Sequence, residues 1–227
     1  MAPDDCTPGG DPRQDAFRQT RLAMVAEQIA ARGVRDARVL DAMRAVPRHE
    51  FVPAPSRDDA YLDSPLPIGH GQTISQPYIV ALMTELARPS PTDRVLEVGT
   101  GSGYQAAVIS RLVARVFSVE LVDPLAQSAA AVLRRLGYTN VTVRSGDGYL
   151  GWPDEAPFDV ILVTAAPEDV PAALVAQLKP GGRLVVPVGP VHDVQDLRLI
   201  EKDSSGRVTT RSIIPVRFVP LVKKRDS

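Results

Sequence analysis

Three alternating glycines follow a short apolar segment, and they are the strongest chemical signal in the chain. The glycines are Gly99, Gly101 and Gly103, with Thr100 between the first two and the apolar residues 95–98 before them. Glycine permits positive φ and has no Cβ to obstruct a ligand, and a helix that begins after such a turn offers free N–H groups. The pattern therefore predicts a ligand-binding turn between a strand and a helix.

The spacing of these glycines disfavours a nicotinamide dinucleotide as the ligand. Dinucleotide-binding turns have the spacing G-x-G-x-x-G, whereas here the third glycine comes one residue earlier and Tyr104 occupies its usual place. Glu97 precedes the first glycine by two positions, where a carboxylate suits a cationic amine better than a pyrophosphate. We expect a ligand with an amino group, and a glycine turn without any ligand is the alternative.

Polar or small residues also follow the next predicted strands. Glu120 ends the strand after the glycine turn, where open α/β sheets hold the acid that hydrogen-bonds a ribose diol. Asp147 and Gly148 follow the third strand, and Thr164 follows the fourth. Together they predict one cleft for a nucleoside-like ligand. A solvated strand end, an aspartate-capped glycine turn and simple packing are the competing interpretations.

A second informative segment, residues 65–77, lies upstream of the glycine turn and is too rich in turn residues to be a core element. Pro77 suits the first turn of a helix, so Thr73 and Ser75 lie beside a helix N-terminus, where hydroxyls and free N–H groups can bind an anion. The segment predicts a loop that holds a carboxylate. In the alternative interpretation, Ser75 only caps the helix.

These motifs resemble the class I methyltransferases and, more specifically, the protein-L-isoaspartate O-methyltransferase family. The matching segments, in chain order, are Val46-Pro47-Arg48-His49-Glu50-Phe51-Val52-Pro53, Tyr61, Asp63, Gly71-Gln72-Thr73-Ile74-Ser75, Glu97-Val98-Gly99-Thr100-Gly101-Ser102-Gly103-Tyr104, Gly146-Asp147-Gly148 and Pro157-Phe158-Asp159. Their order and spacing match over approximately residues 17–222. The glycine turn is common to many methyltransferases, whereas the segment Gln72-Thr73-Ile74-Ser75-Gln76-Pro77 is specific to this family.

The resemblance implies a cofactor, a substrate and roles for individual residues. The implied cofactor is S-adenosyl-L-methionine, which becomes S-adenosyl-L-homocysteine, with no metal. Its implied binding residues are Glu97, Gly99, Thr100, Gly101, Gly103, Glu120, Asp147, Gly148 and Thr164. The implied reaction methylates the free carboxylate of isoaspartyl residues in damaged proteins, and the ester then cyclises to a succinimide, which starts repair. Ser75 is the implied active-site residue, and Thr73, Ile74, Ser75 and Val219 are the implied substrate-binding residues.

The elements that must position these residues follow a repeated βα pattern from Arg94 to Val188. Such alternation predicts a doubly wound, mostly parallel sheet with helices on both faces, the Rossmann-like fold of class I methyltransferases, which has seven strands. Residues 197–201, 203–206 and 208–215 read as an antiparallel C-terminal hairpin, and residues 216–222 as an extended tail.

The N-terminal part reads as a helical cap. Residues 1–14 lack periodicity and predict a disordered tail, whereas residues 16–31 place Phe17, Leu22, Val25 and Ile29 at roughly helical spacing. We predict a single domain over residues 15–227. It is divided into the helical cap and substrate loop (15–92), the cofactor-binding core (93–190) and the C-terminal hairpin and substrate tail (191–227).

Composition sets limits on partners and compartment. The 227 residues include 44% apolar residues, enough for the core of one α/β domain, and carry a formal net charge of −1. This balance excludes a global attraction to nucleic acid or anionic lipid. The single cysteine, Cys6, has no partner for an intramolecular disulfide, which fits a reducing compartment. We expect a cytoplasmic monomer without a nucleic-acid or membrane partner.

Two other functions remain open at this point. A small-molecule carboxyl methyltransferase would have the same fold, and a non-catalytic adaptor could bind the cofactor without turnover. His49 and His192 lie in segments that favour structural roles over catalysis, and the sequence has no H-E-x-x-H motif for a metal.

Overall fold

The computed structural model describes residues 12–191 and 193–223. Most of the predicted N-terminal tail, Cys6 and His192 lie outside the described residues. The first helix begins at Pro12, which is inside the predicted tail. In the part of the chain that is described, no helix combines the length and apolar character needed to cross a bilayer.

A seven-stranded sheet forms the centre of the molecule and confirms the predicted fold class. Its strands are β3 (Arg94–Val98), β4 (Arg115–Glu120), β5 (Val141–Ser145), β6 (Phe158–Val163), β7 (Leu178–Val188), β8 (Gln195–Lys202) and β9 (Val208–Val216). They are arranged in the order β5-β4-β3-β6-β7-β8-β9. The pairings from β5 to β7 are parallel, and β8 and β9 add two antiparallel pairings. The predicted C-terminal hairpin is therefore confirmed.

Helices cover both faces of this sheet, so that the central strands are almost wholly buried. The helices that follow the strands are α4 (Tyr104–Ser110), α5 (Asp123–Arg135) and α6 (Ala172–Gln177). Because side chains alternate along a strand, Val95 packs in one hydrophobic cluster, whereas Leu96 and Val98 pack in the other. The carboxyl ends of β3, β4 and β6 meet at one edge of the sheet, where the glycine turn, Glu120 and Thr164 lie.

The N-terminal cap is helical but less regular than its periodicity predicts. Helix α1 (Pro12–Ala23) continues into a π-helical turn (Met24–Ile29) and a 3₁₀ turn (Ala30–Arg32), which Gly33 ends with φ +100°. Met24 is buried on the side of Phe17, whereas Leu22, which precedes the π-helical turn, is 40% exposed. Asp36 caps helix α2 (Ala37–Ala45), because its side chain accepts a hydrogen bond from the Arg38 N–H.

The segment predicted as a substrate loop forms a small hairpin. Strands β1 (Leu66–Gly69) and β2 (Gln72–Ile74) pair antiparallel, apart from the main sheet. Gly69, His70 and Gly71 all have positive φ, which reverses the chain within three residues. Helix α3 (Pro77–Ala87) follows, with Pro77 in its first turn. The hairpin therefore delivers Thr73 and Ser75 to the carboxyl edge of the main sheet.

The chain leaves β9 as an extended segment, residues 217–223, which we call the C-terminal strap. The strap crosses the end of β6, because the Ala166 N–H donates to the Val219 carbonyl and the Leu221 N–H donates to the Ala166 carbonyl, each at 2.8 Å. The Phe218 N–H also donates to Gln195 Oε1 at 2.8 Å. These contacts fix the strap beside the glycine turn.

Candidate active site

A cavity of about 780 Å³ lies at the carboxyl edge of the sheet, and we call it the glycine-turn cavity. Its lining includes these predicted site residues: Gly99, Thr100, Gly101, Glu120, Gly148, Thr164, Thr73, Ile74, Ser75 and Val219. Residues of the strap complete one side of it. The structure therefore brings together most of the predicted site. Glu97, Gly103 and Asp147 do not line this cavity.

The glycine turn has the backbone conformation that its sequence predicts. Gly99, Gly101 and Gly103 have φ of +96°, +52° and +87°, in the region that favours glycine. A Cβ on Gly99 would lie 2.6 Å from Thr164 Oγ1, and this hydroxyl lies 2.5 Å from the Gly99 carbonyl oxygen. The turn is therefore packed directly against the end of β6, with no space for a larger residue.

Glu120 is buried at the end of β4 and holds the glycine turn in place. Its Oε2 accepts a hydrogen bond from the Gly101 N–H at 2.8 Å, and its Oε1 accepts one from the Val122 N–H at 3.0 Å. A carboxylate oxygen can accept two hydrogen bonds. Glu120 can therefore bind a ribose diol in the cavity while it retains both backbone contacts.

Glu97 lies beneath the turn, in the interior of the protein. Ser118 Oγ donates to Glu97 Oε2, and Thr100 Oγ1 lies 2.5 Å from Ser118 Oγ, so that the three side chains form a buried chain of polar contacts. Glu97 Oε1 has no hydrogen-bond partner among the described residues. Burial raises the pKa of Glu97 to about 8, so this group is largely a neutral acid at pH 7. Glu97 does not line the cavity; it is connected to the cavity-lining Thr100 through Ser118.

The other two residues outside the cavity have identifiable structural contacts. Gly103 packs against helix α5, because a Cβ there would lie 3.2 Å from Leu133 Cδ1. The Asp147 side chain accepts a hydrogen bond from the Tyr149 N–H at 2.8 Å and begins a short 3₁₀ turn. Its neighbour Gly148 does line the cavity, and a Cβ there would lie 2.5 Å from Val98 Cγ1. At this strand end, the backbone rather than the aspartate side chain borders the cavity.

A second cavity of about 820 Å³ adjoins the first, and we call it the strap cleft. Residues after β2, the first turns of α3, the end of β9 and the strap line it. Thr73, Ser75, Thr164 and Val219 line both cavities. A group held in one cavity can therefore meet a group held in the other at this junction.

Ser75 lies at this junction, and its hydroxyl is not used to cap helix α3. The N-cap residue is Gln76, and no side chain caps this helix. Among the described residues, none forms a hydrogen bond with the Ser75 hydroxyl, and the residue is half-buried. The geometry therefore favours a ligand-binding role for Ser75 over the capping alternative.

Several residues of the strap cleft were not among the predicted site residues, and two of them, Arg32 and Tyr78, come from the N-terminal helical region and from α3. No local motif marks these two, because only the fold brings their distant segments together. Arg217, which also lines the cleft, lies in the predicted substrate tail. His49, in contrast, has the structural environment that we expected: its ring stacks on Phe17 at 4.2 Å, and its Nδ1 lies 2.6 Å from the Tyr61 hydroxyl.

Comparison with known proteins agrees with this geometry. Residues 19–226 match the family described as protein-L-isoaspartate(D-aspartate) O-methyltransferase (PCMT). A protein-L-isoaspartate O-methyltransferase from Opitutus terrae is 58% identical over 205 residues, which make up 90% of this chain and 88% of the relative. Protein-L-isoaspartate O-methyltransferase 2 from Polaromonas sp. is 59% identical over 190 residues, covering 84% of this chain and 90% of the relative.

Solved structures show the same similarity. A protein-L-isoaspartate O-methyltransferase is 32% identical with a TM-score of 0.79, over 89% of this chain and 65% of that chain. A Plasmodium falciparum structure whose description names the same enzyme, in complex with S-adenosyl-L-homocysteine, is 26% identical with a TM-score of 0.76, over 90% of this chain and 99% of that chain. The present chain therefore belongs to the protein-L-isoaspartate(D-aspartate) O-methyltransferase family.

Proposed function

We propose that this protein methylates the free carboxylate of L-isoaspartyl residues in damaged proteins, at the junction of the glycine-turn cavity and the strap cleft. As a member of its family, the chain is an S-adenosylmethionine-dependent methyltransferase. The observation that carries the proposal is the set of residues shared by both cavities, Thr73, Ser75, Thr164 and Val219. They form the place where a donor and an acceptor can be held next to each other.

The residues of the glycine-turn cavity fit the cofactor. The buried Glu120 carboxylate lines the cavity and suits the ribose diol, and the glycines remove side chains that would fill the space. We propose that Gly99, Thr100, Gly101, Glu120, Gly148 and Thr164 hold the cofactor directly. Glu97, Gly103 and Asp147 would then support the site through Ser118, helix α5 and the 3₁₀ turn. When bound, the cofactor supplies an electrophilic methyl group on a sulfonium.

The chain contributes position and desolvation to the reaction, and it needs no general base. A carboxylate with a reference pKa of about 3.9 is already ionised at neutral pH, and among the described residues neither a histidine nor an acidic residue lines the strap cleft. We propose that the Ser75 hydroxyl donates to one oxygen of the substrate carboxylate and leaves the other free to react. Thr73, Ile74 and Val219 would limit the orientation of the substrate carboxylate. Such alignment contributes roughly 7–11 kcal/mol in favourable cases.

A peptide assay tests the proposal. Two synthetic peptides of identical sequence, one with a single isoaspartyl linkage and one with normal aspartate, are assayed with labelled S-adenosylmethionine. We expect transfer to the isoaspartyl peptide at least a hundredfold faster, because the longer backbone moves the carboxylate by about 1 Å or more, and such a displacement can cost on the order of a hundredfold in rate.

The alternatives give different results in the same assay. Comparable rates on both peptides would contradict isoaspartate repair while leaving a carboxyl methyltransferase. Transfer only to small carboxylic acids would identify a small-molecule enzyme. Tight binding of S-adenosyl-L-homocysteine without transfer to any acceptor would identify an adaptor.

We further propose that the enzyme acts as a monomer in the cytoplasm without a nucleic-acid or membrane partner. Residues of one chain form both cavities and the wall that they share, which supports a monomer. The net charge of −1 and the single cysteine support this setting. Sedimentation equilibrium at assay concentrations tests the oligomeric state. A dimer would contradict the proposal.

A further inference from the structure

Among the described residues, the charged ones that line the strap cleft are two arginines, Arg32 and Arg217, from opposite ends of the chain. Asp63, which does not line the cleft, pairs with Arg32 and offsets part of its charge, whereas Arg217 has no such partner among the described residues. The reactive carboxylate of the substrate is already assigned to Ser75. The two cations are therefore available to other groups of a bound peptide.

Arg32 is held in a fixed orientation at this cleft. Its guanidinium lies over the Tyr78 ring, with Cζ 3.6 Å from the ring centroid, and its Nη1 pairs with Asp63 Oδ2 at 2.6 Å. A guanidinium has five N–H donors, so this pairing leaves others available. The side chain is 44% exposed and can be reached from solvent. Asp63 offsets part of the positive charge of Arg32, and the remaining N–H donors of Arg32 keep a fixed direction.

Arg217 provides the charge that is not offset. It is exposed and forms no ion pair with another residue of the described ranges. It lies between the end of β9 and Phe218, whose backbone N–H is anchored on Gln195. The backbone at Arg217 is therefore fixed, and its guanidinium can extend along a peptide in the cleft.

We propose that the strap cleft selects isoaspartyl peptides with acidic side chains next to the reactive residue and disfavours peptides with basic ones, with Arg217 as the main determinant and Arg32 as a fixed donor. The inference rests on the proposed function, because it assigns the sequence preference of that same site. Exposed charge pairs contribute modestly, so each favourable or unfavourable pair is expected to change kcat/KM by a few-fold. The effect should act mainly on KM, because the charges lie away from the reacting oxygen.

Three peptides with one isoaspartyl residue test the preference. They share one sequence and carry glutamate, glutamine or lysine next to the isoaspartyl residue. We expect kcat/KM to decrease in the order glutamate, glutamine, lysine, over a total of about three- to tenfold. Raising the salt concentration from about 0.05 to about 0.5 M should reduce the difference in kcat/KM, because salt screens exposed charges.

Variants identify the residues responsible. R217Q should reduce the preference for the glutamate peptide, R217E should reverse it, and R32Q should raise KM for all three peptides. R211Q removes the same charge from an exposed position of β9 that does not line the cleft, and it should keep the wild-type order. Equal kcat/KM for all three peptides, or an unchanged order in R217E, would overturn the inference. Methylation of none of them would instead contradict the proposed function.

Discussion

At the scale of single residues, burial decides the charge state of Glu97. This carboxyl is completely buried, one of its oxygens has no hydrogen-bond partner among the described residues, and burial raises its pKa to about 8. The unfolded chain has the ordinary value of about 4.5. Between these two values the folded protein binds a proton that the unfolded protein has lost, so stability must decrease as the pH rises through this window.

Glu97→Gln should remove this pH dependence. The slope amounts to about 1.4 kcal/mol per pH unit while the two states differ by one proton. Relative to the wild type, the glutamine variant should therefore become steadily more stable from about pH 5 to about pH 8. Urea unfolding of the cofactor-free protein at several pH values measures this difference in stability. Glu27→Gln is the control for the loss of an exposed glutamate. Parallel curves for Glu97→Gln and the wild type would mean that Glu97 is ionised in the folded protein.

Ser75→Ala should lose most of its turnover while its stability stays within about 0.5 kcal/mol of the wild type, the usual range for a side chain without structural hydrogen bonds. The reason is that the Ser75 hydroxyl forms no hydrogen bond with a described residue, and Ser75 lines both cavities. Methyl-transfer kinetics and thermal unfolding are measured in parallel. Ser56→Ala, which removes a hydroxyl outside both cavities, is the control. Full activity with a loss of about 1 kcal/mol of stability would restore the capping interpretation.

At the scale of secondary-structure elements, the glycine turn combines a conformational requirement with a packing requirement. Gly99 and Gly33 separate the two, because they have nearly the same φ, +96° and +100°. A Cβ on Gly99 would lie 2.6 Å from Thr164 Oγ1, whereas a Cβ on Gly33 would have no heavy atom within 4 Å. The same substitution at both positions therefore shows what the packing adds.

Gly33→Ala should lose about 1–2 kcal/mol from the strained backbone alone. Gly99→Ala should lose the same amount and a further 1–3 kcal/mol, roughly, from overpacking. Only Gly99→Ala should weaken binding of S-adenosyl-L-homocysteine. Urea unfolding and calorimetric titration of both variants provide the comparison. Equal losses of stability, with binding intact in both, would show that the turn can move away from Thr164.

The sequence was sufficient to predict the seven strands of the main sheet, because hydrophobic periodicity and glycine turns act locally, whereas it did not predict the β1–β2 hairpin or the π-helical turn. It could not show which strand-end acid reaches the cavity. Glu120 is the last residue of β4 and meets the turn, whereas Glu97 precedes Val98 and points into the face that also holds Val95. Which acid meets the turn therefore depends on where each strand ends and on the face of the sheet on which its side chain lies. The position of Arg32 in the strap cleft likewise depends on contacts between distant segments.

At the scale of the whole molecule, the two cavities share part of their walls, so the binding of cofactor and peptide should be coupled. A ligand that orders Thr73, Ser75 or Val219 from one side prepares the same residues for the other side. An isoaspartyl peptide should therefore bind several-fold more tightly when S-adenosyl-L-homocysteine is present, and the reverse titration should give the same factor. Calorimetric titration in both orders measures it. Equal peptide affinities with and without S-adenosyl-L-homocysteine would show that the cavities act independently.

The two cavities are also formed by largely different parts of the chain. Apart from Thr164, each described residue that lines the strap cleft lies before residue 80 or after residue 213. The glycine turn, Glu120 and Gly148 all lie between these limits. Substitutions of the end residues that line only the strap cleft can therefore change which acceptor is chosen while the donor cavity is unaltered. In evolutionary terms, acceptor preference in this architecture can diverge without loss of the methyl donor.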